Sequence, residues 1–352
     1  MAVVMITVVG GRHVGGGMTK HSYCVLIALV TGAAHAHHSD AGFNMESVVA
    51  VSGVVTEFSW RNPHVYVNVD VTEPGGIVTK WQFQSGPTMI LARAGWTPDL
   101  LQPGDRVVAR GHPERDPERN TNRRYAFLLM IDKEDGTRLE RIRIGMPTTA
   151  VATDLNGRWR AVGASVDAFI EAYQRLPLTE KGAAAKAEYD IFSDEGLQSC
   201  EPMPTPASTA IAAQIYTSEI EVNTNTVFLR SEYYDTERVV YMDGREHPQN
   251  GERELHGHSI GWWEDDVLVV DTTNFADHRS PLQDGVPSGA QRHVVERYDL
   301  SDDGASLMID ILVEDPEYLA EPLRGTVEWK YTPDAELVRY DCNPEVSRQY
   351  AF

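Results

Sequence analysis

Residues 48–143 alternate apolar and polar side chains, which is the pattern of half-buried strands. The pattern predicts five strands and, after the third of them, a short helix. The strands are Val48–Phe58, Val65–Val71, Val78–Phe83, Val107–Gly111 and Tyr125–Ile131, and the helix is Pro87–Ala94. Three strands, a short helix and two more strands is the order of an OB-fold, so we expect an OB-like small β-barrel here.

Residues 226–352 again alternate, in short runs separated by turn sequences at hairpin spacing. About eight strands are predicted. They are Val227–Tyr233, Arg238–Met242, Ser259–Trp263, Val267–Thr272, Gln291–Leu300, Ser306–Val313, Gly325–Tyr331 and Glu336–Tyr340. Meander order favours a lipocalin-like antiparallel β-barrel that could enclose one small ligand. A β-sandwich is the alternative, because the pattern alone does not separate the two.

The stretch between these regions, residues 144–225, is less regular and is interpreted as a helical and extended connector. Asp167–Arg175 is amphipathic and predicts a helix. A second helix is predicted over Thr179–Tyr189, with Thr179 as its N-cap. Ser199–Thr209 is proline-rich and is predicted to be extended.

The first 36 residues have the features of a secretory signal. Lys20 precedes an apolar run, Tyr23–Val30, and Ala34-His35-Ala36 is a small-residue cleavage site. Met18 is a better start for such a signal than Met1. A membrane anchor is the alternative, but the run is shorter than the ~20 residues that a span needs. We therefore expect a periplasmic or secreted protein with no membrane span in the mature chain, which would begin with a segment 37–47.

The chain is acidic, with a formal net charge of −21. Removal of residues 1–36 takes away Arg12 and Lys20 and no acidic residue, so the charge becomes −23. Nucleic acids and anionic lipids are bound by lysine and arginine, which neutralise phosphate. The excess of acidic over basic residues therefore predicts no nucleic-acid partner, although nucleic acids are frequent ligands of OB-folds.

Of three cysteines, Cys24 lies in the signal, which leaves Cys200 and Cys342. An even pair in an oxidising compartment predicts a disulfide, and two buried free thiols are the alternative.

Cleavage after Ala36 would leave His37 and His38 at the new N-terminus. An α-amine and an imidazole of one residue, with a third nitrogen from His64, would form the nitrogen ligand set that Cu(II) favours. Copper is therefore a candidate cofactor. The alternatives are a polar tail at His37 and His38, and a strand-end role for His64.

Several polar residues interrupt the apolar strands of the second region. A histidine–carboxylate pair can act as general acid and base, so the candidate catalytic residues are His258, Asp271, His293 and Glu296. Candidate ligand-binding residues are Arg230, Glu232 and Trp262. The alternative is structural, with ion pairs and caps that fix strand register. Most aromatic residues of these strands are expected in the core, namely Trp262, Trp263, Tyr298, Trp329 and Tyr331.

Short segments in both regions carry a resemblance to known sequences. In the first they are His37-His38-Ser39, Gly53-Val54-Val55, Asn62-Pro63-His64 and Pro103-Gly104-Asp105, and in the second they include Met242–Pro248, His258–Thr272, His293–Tyr298 and Tyr340–Asn343. On these segments the chain resembles the DUF6152 family of bacterial exported proteins of unknown function. The resemblance implies export and a two-part layout, and it implies no chemistry.

Three functions remain open from the sequence. The first is binding of a small ligand in the second barrel. The second is an enzyme with histidine–carboxylate acid–base chemistry, as an isomerase, a cyclase or a hydrolase. The third is an interaction module that docks on another envelope protein. The sequence contains no G-x-S-x-G, P-loop, G-x-G-x-x-G, H-E-x-x-H or C-x-x-C motif to decide between them.

Overall fold

The structure is a computed structural model, and it describes residues 42–118, 122–140, 148–190, 199–249, 251–282 and 284–348. These described residues belong to one compact unit. In the described part of the chain, no helix is both long enough and apolar enough to cross a membrane.

The first barrel has the predicted OB-like topology. Its strands are β1 (Val49–Ser59), β2 (Tyr66–Thr72), β3 (Val78–Gln84), β4 (Arg106–Pro113) and β5 (Arg124–Lys133), and a short β6 (Arg138–Glu140) extends the sheet. Helix α1 (Thr88–Arg93) connects β3 to β4. The sheet order is β3-β2-β1-β4-β5, and parallel pairing of β3 with β5 closes the barrel. The prediction of an OB-like barrel is confirmed.

The second barrel has nine strands rather than about eight. They are β7 (Gly157–Ala161), β8 (Ser218–Val222), β9 (Thr226–Ser231), β10 (Thr236–Tyr241), β11 (His258–Glu264), β12 (Val267–Thr273), β13 (His293–Leu300), β14 (Leu307–Glu314) and β15 (Leu323–Tyr331). It is a closed barrel, so the sandwich alternative is wrong. Pairing is antiparallel except between β10 and β11, which run parallel over a short stretch. The predicted strand Glu336–Tyr340 is not among the strands.

Two of these strands come from the stretch that was interpreted as a connector. β7 pairs with β15 and β8, and β8 pairs with β9, so both are needed to close the barrel. Each strand is only five residues long and carries several charged residues. Trp159 and Ile220 are nevertheless buried, because single apolar residues face the interior.

The predicted helices of the connector are present. Helix α2 spans Gly163–Gln174, and helix α3 spans Glu180–Ala187. Thr179 is the N-cap of α3, and its hydroxyl accepts a hydrogen bond from the Gly182 amide at 3.1 Å. Capping of this kind satisfies an amide that has no partner within the helix.

Elements of the chain itself pack against the inner side of the second barrel. A Cβ at Gly325, on β15, would lie 2.6 Å from the ring of Phe169, so only glycine permits this approach of α2. In a second element, helix α4 (Ala207–Ala210), Ala207, Thr209 and Ala210 are buried. The indole of Trp329, which faces inward from β15, donates to the carbonyl of Thr209 at 3.2 Å. Phe169 and Thr209, which lie outside the strands, therefore contact residues that face inward from β15.

The two barrels are joined through the segment that precedes the C-terminal helix α5 (Pro344–Ser347). The side chain of Asn62 donates to the Tyr340 carbonyl, and its backbone oxygen accepts from the Asn343 amide at 2.9 Å. The Cys200–Cys342 disulfide, which the sequence predicted, is present and fixes the same segment from the other side.

Candidate functional site

A group of histidines and carboxylates lies on the outer face of the second barrel. His258 begins β11, Asp271 lies on β12, and His293 begins β13. Neighbouring positions such as Ser259 and Thr272 are fully buried and face the interior. Because successive residues of a strand point to opposite faces, the three candidate residues point outward together.

A fourth residue, His247, joins them from the loop that connects β10 to β11. Parallel strands need a crossover connection, and this loop passes over the outer face. It is tied to the end of β12 by Asn274, whose side chain donates to the Pro248 carbonyl at 2.9 Å. Arg253 donates to the Phe275 carbonyl at 2.7 Å, which anchors the other half of the loop.

The polar groups form one unbroken series of contacts. Nδ1 of His258 lies 2.9 Å from Nδ1 of His247, whose Nε2 lies 2.9 Å from one oxygen of Asp271. The other oxygen of Asp271 lies 3.0 Å from Nε2 of His293, and Nδ1 of His293 lies 3.0 Å from Glu314. We call these five residues the histidine relay. His293 is directly opposite Glu314 in the β13–β14 pairing.

The relay fixes different protonation states at its two ends. Hydrogen bonds to Asp271 and then to Glu314 raise the pKa of His293 to about 9, against the cost of burial. Burial, His247 and Arg245 together lower the pKa of His258, which favours its neutral form. Burial acts to raise the pKa of Asp271, but the hydrogen bonds from His293 and His247 outweigh it and lower that pKa overall.

Stability should depend on the charge of His293. Its folded-state pKa of about 9 lies above the ordinary 6.5, so its contribution is complete below pH 6.5 and is lost as the pH rises through about 9. We expect the free energy of unfolding to fall by about 1–2 kcal/mol over this window, after allowance for solvent screening at a partly exposed side chain. Urea denaturation at intervals of pH would measure it.

His293→Gln is the matched variant, because glutamine retains hydrogen bonding but cannot carry the charge. The difference in unfolding free energy between wild type and His293→Gln should shrink as the pH rises through the window. A difference that stays constant from pH 6.5 to pH 9 would contradict the assignment. His258 acts in the opposite sense, because its lowered pKa costs stability as the pH falls below 6.5.

Glu296, the fourth candidate catalytic residue, is separated from the relay. It faces the barrel interior, where its carboxylate lies 2.5 Å from Nη1 of Arg238. The side chains of Arg238 and Glu296 are 4% and 0% exposed, and Tyr298 donates a hydrogen bond to Glu296 at 3.2 Å. Glu296 therefore belongs to a buried ion pair and does not reach the outer face.

The three candidate ligand-binding residues lie in three different places. Arg230 forms ion pairs with Glu219, Glu221 and Glu237 on the surface. Glu232 is buried and accepts hydrogen bonds from Arg93 of α1 at 2.5 Å and from the amides of Thr217 and Val338 at 2.8 and 2.9 Å. It thus connects the two barrels. Trp262 is 41% exposed on β11.

The exposure of Trp262 corrects the expectation for the aromatic residues. Trp262 and its neighbour Trp263 are exposed, whereas Tyr298 and Trp329 are in the core as expected. The alternation of β11 places Trp262 on the outer face with His258, and Trp263 lies next to the end of the strand at Glu264.

The candidate copper ligands His37 and His38 lie outside the described residues, so copper binding there stays a prediction. His64 lies in the first barrel, with Nδ1 2.8 Å from the Ser85 carbonyl. Within the described ranges, no group of three or more histidine, cysteine, aspartate or glutamate side chains has the arrangement of a metal site.

Sequence reasoning missed two members of the relay. His247 lies in a loop, where no strand alternation indicates its direction. Its nearest signal is the segment Met242–Pro248, which carried the resemblance in this part of the chain. Glu314 ends β14, and only its register opposite His293 reveals its role.

Comparison with known proteins finds a similarity to one family model over part of the chain. None of the curated proteins compared with the chain matches it. The residues that match a family model are 25–123, which include most of the first barrel and not the relay. Over these residues the chain matches DUF6152, a family of unknown function.

Proposed function

We propose that this is an exported protein whose second barrel carries a general-base site on its outer face, with His258 as the residue that removes a proton from a small substrate. The observation that carries the proposal is the histidine relay, in which His247 and Asp271 support His258 through contacts of 2.9 Å each. Export is supported by the N-terminal signal pattern and fits the Cys200–Cys342 disulfide.

The contacts assign a role to each member of the relay. Asp271 is an acceptor when ionised, so His247 donates to it from Nε2. With one proton on each ring, His258 then donates from Nδ1 to His247, and Nε2 of His258 keeps its lone pair. An imidazole nitrogen with a lone pair is the acceptor that general-base catalysis requires.

His293 acts as a fixed positive charge rather than as a proton donor to the substrate. Both of its nitrogens face carboxylates, one on Asp271 and one on Glu314. Its charge keeps Asp271 ionised, and Asp271 in turn holds His247 in the orientation that supports His258. The pKa of His293 is raised and the pKa of His258 is lowered. Opposite shifts of this kind within one group of titratable residues are frequent at acid–base sites.

The surroundings of His258 would favour a substrate that develops negative charge. The ring of Tyr241 stacks on His258 with centroids 5.3 Å apart, and the Arg245 guanidinium lies 3.8 Å from the Tyr241 ring centroid. Removal of a proton leaves negative charge on the substrate, which Arg245 would stabilise while it also pairs with Asp243 at 2.5 Å. Isomerisation, cyclisation and hydrolysis can each begin with such a step.

We expect His258→Gln to lower the rate of a general-base probe reaction by about 10²-fold, because a positioned base contributes 10²–10⁴-fold. The probe is 5-nitrobenzisoxazole, whose ring opens after removal of one proton and whose product absorbs visible light. The rate with wild-type protein should rise with pH through the lowered pKa of His258 and then level off. Its measurement needs no knowledge of the natural substrate.

His112→Gln is the control, since His112 lies in the first barrel and contacts the Ser47 carbonyl at 2.7 Å. Its rate should equal that of wild type. Nitrogen NMR of the histidine rings gives an independent test of the tautomer. A proton on Nε2 of neutral His258, or a probe rate that His258→Gln leaves unchanged, would rule out the general-base role.

A second candidate function, docking on another envelope protein, is favoured by one observation. Trp262 and Trp263 expose 41% and 46% of their surface at the end of the β11–β12 hairpin. Exposed tryptophans are frequent at protein interfaces. This function does not need His258 as a base, so loss of binding to a partner in Trp262→Ser with an unchanged probe rate would separate the two.

A further inference from the structure

A cleft of about 510 Å³ lies where the first barrel meets the C-terminal segment. One wall comes from the turn after β1, and the other comes from the segment that carries the disulfide. The lining residues include Trp60, Arg61, Asn62, Arg339, Asp341 and Cys342. The volume is in the range of small-molecule sites, and no member of the histidine relay is among the lining residues.

The charge of this cleft is opposite to that of the whole chain. Arg61 and Arg339 are exposed, and neither forms an ion pair or a hydrogen bond with another described residue. Asp341 is the single carboxylate among the lining residues. Two guanidiniums against one carboxylate make the cleft locally positive in a protein of net charge −21.

The cleft also has an aromatic wall. Trp60 is partly exposed, and its ring lies 5.7 Å from that of Phe58 between centroids. The contact with Phe58 helps to fix the indole directly after the end of β1. An indole face beside two guanidiniums suits a planar ligand that carries negative charge.

The walls are held in position before any ligand arrives. Asn62 accepts hydrogen bonds from the Thr88 amide at 2.8 Å and from the Asn343 amide at 2.9 Å. Asp235 accepts from the Tyr340 amide at 2.9 Å, and Cys342 is covalently bound to Cys200. A preformed site binds with less loss of conformational entropy than one that must be ordered.

We propose that this cleft binds a small aromatic carboxylate, with the carboxylate between Arg61 and Arg339 and the ring against Trp60. Guanidinium groups match the planar carboxylate through paired hydrogen bonds. The site is separate from the general-base site, and binding here does not depend on His258.

The test is calorimetric titration of the full chain with 1-naphthoate and, as the uncharged comparison, 1-naphthamide. We expect wild type to bind 1-naphthoate at least about tenfold more tightly than 1-naphthamide, because hydrogen bonds between charged groups have this effect on affinity. The double variant Arg61→Gln, Arg339→Gln should lose at least about tenfold in affinity for 1-naphthoate. Trp60→Leu should weaken both compounds.

Arg324→Gln is the matched control, since Arg324 is an exposed arginine on β15 and is not part of the cleft. It should bind 1-naphthoate as wild type does. Unchanged thermal midpoints in all variants would show that the fold is intact. Equal binding by wild type and the double variant, or no binding of 1-naphthoate to wild type at ~10 mM, overturns the proposal.

Discussion

Glu296→Gln is expected to lower the free energy of unfolding by about 3–5 kcal/mol, because it leaves the guanidinium of Arg238 buried without a charged partner. Burial by itself would lower the pKa of Arg238, and Glu296 outweighs this effect to keep that pKa above its ordinary value. Glutamine preserves the shape of the side chain, so the loss would report the charge and not a cavity. Chemical denaturation at neutral pH gives the measurement.

Glu264→Gln is the matched control. Glu264 pairs with Arg297 at 2.8 Å on the same barrel, but both side chains are exposed, so solvent screening should leave Glu264→Gln with little effect on stability. The double variant Arg238→Met, Glu296→Leu removes both charges and should recover most of the stability. A loss below about 1 kcal/mol in Glu296→Gln would contradict the buried pair.

The second large effect is expected from the disulfide. Cys200 and Cys342 are separated by 142 residues, and a crosslink over a loop of this length restricts the unfolded chain strongly. Replacing both cysteines by serine should therefore lower the free energy of unfolding by about 3–5 kcal/mol. The thermal midpoint of the variant, compared with that of oxidised wild type, is the readout.

Wild type treated with a thiol reductant is the control for this prediction. If the crosslink itself is responsible, reduced wild type and the Cys200→Ser, Cys342→Ser variant should unfold at the same midpoint. A reductant that leaves the oxidised midpoint unchanged, together with an unaffected variant, would show that the crosslink does not stabilise the fold. A large effect would also fit a chain that matures in an oxidising compartment.

Most strands could be predicted from the sequence. Which face of each strand points into the barrel could not. Alternation in Val267–Thr273 shows that Asp271 and Val269 share a face, but both faces of β12 carry apolar residues. Val269 is buried although it shares the outward face with Asp271. The sequence therefore could not show that Asp271 and Glu296 lie on opposite sides of the barrel wall.

Short strands were missed for a related reason. Gly157–Ala161 contains two arginines around Trp159, and Ser218–Val222 contains two glutamates around Ile220. Each strand has one apolar residue that points inward. A single residue cannot show the alternation of apolar and polar positions by which a strand is recognised in a sequence. The barrel needs both strands, and their pairing partners β15 and β9 lie far from each other in the sequence.

The closing pair of the second barrel sets the order in which the chain can fold. Trp329 of β15 lies opposite Ala161 of β7, so the ring of strands cannot be completed until nearly the whole polypeptide is present. Contacts between residues so distant in sequence form slowly, because a long loop must be closed first. The OB-like barrel has its strands within one continuous stretch, so it should be structured while the larger barrel is still open. During that interval the inner faces of the larger barrel are exposed to any chaperone that is present.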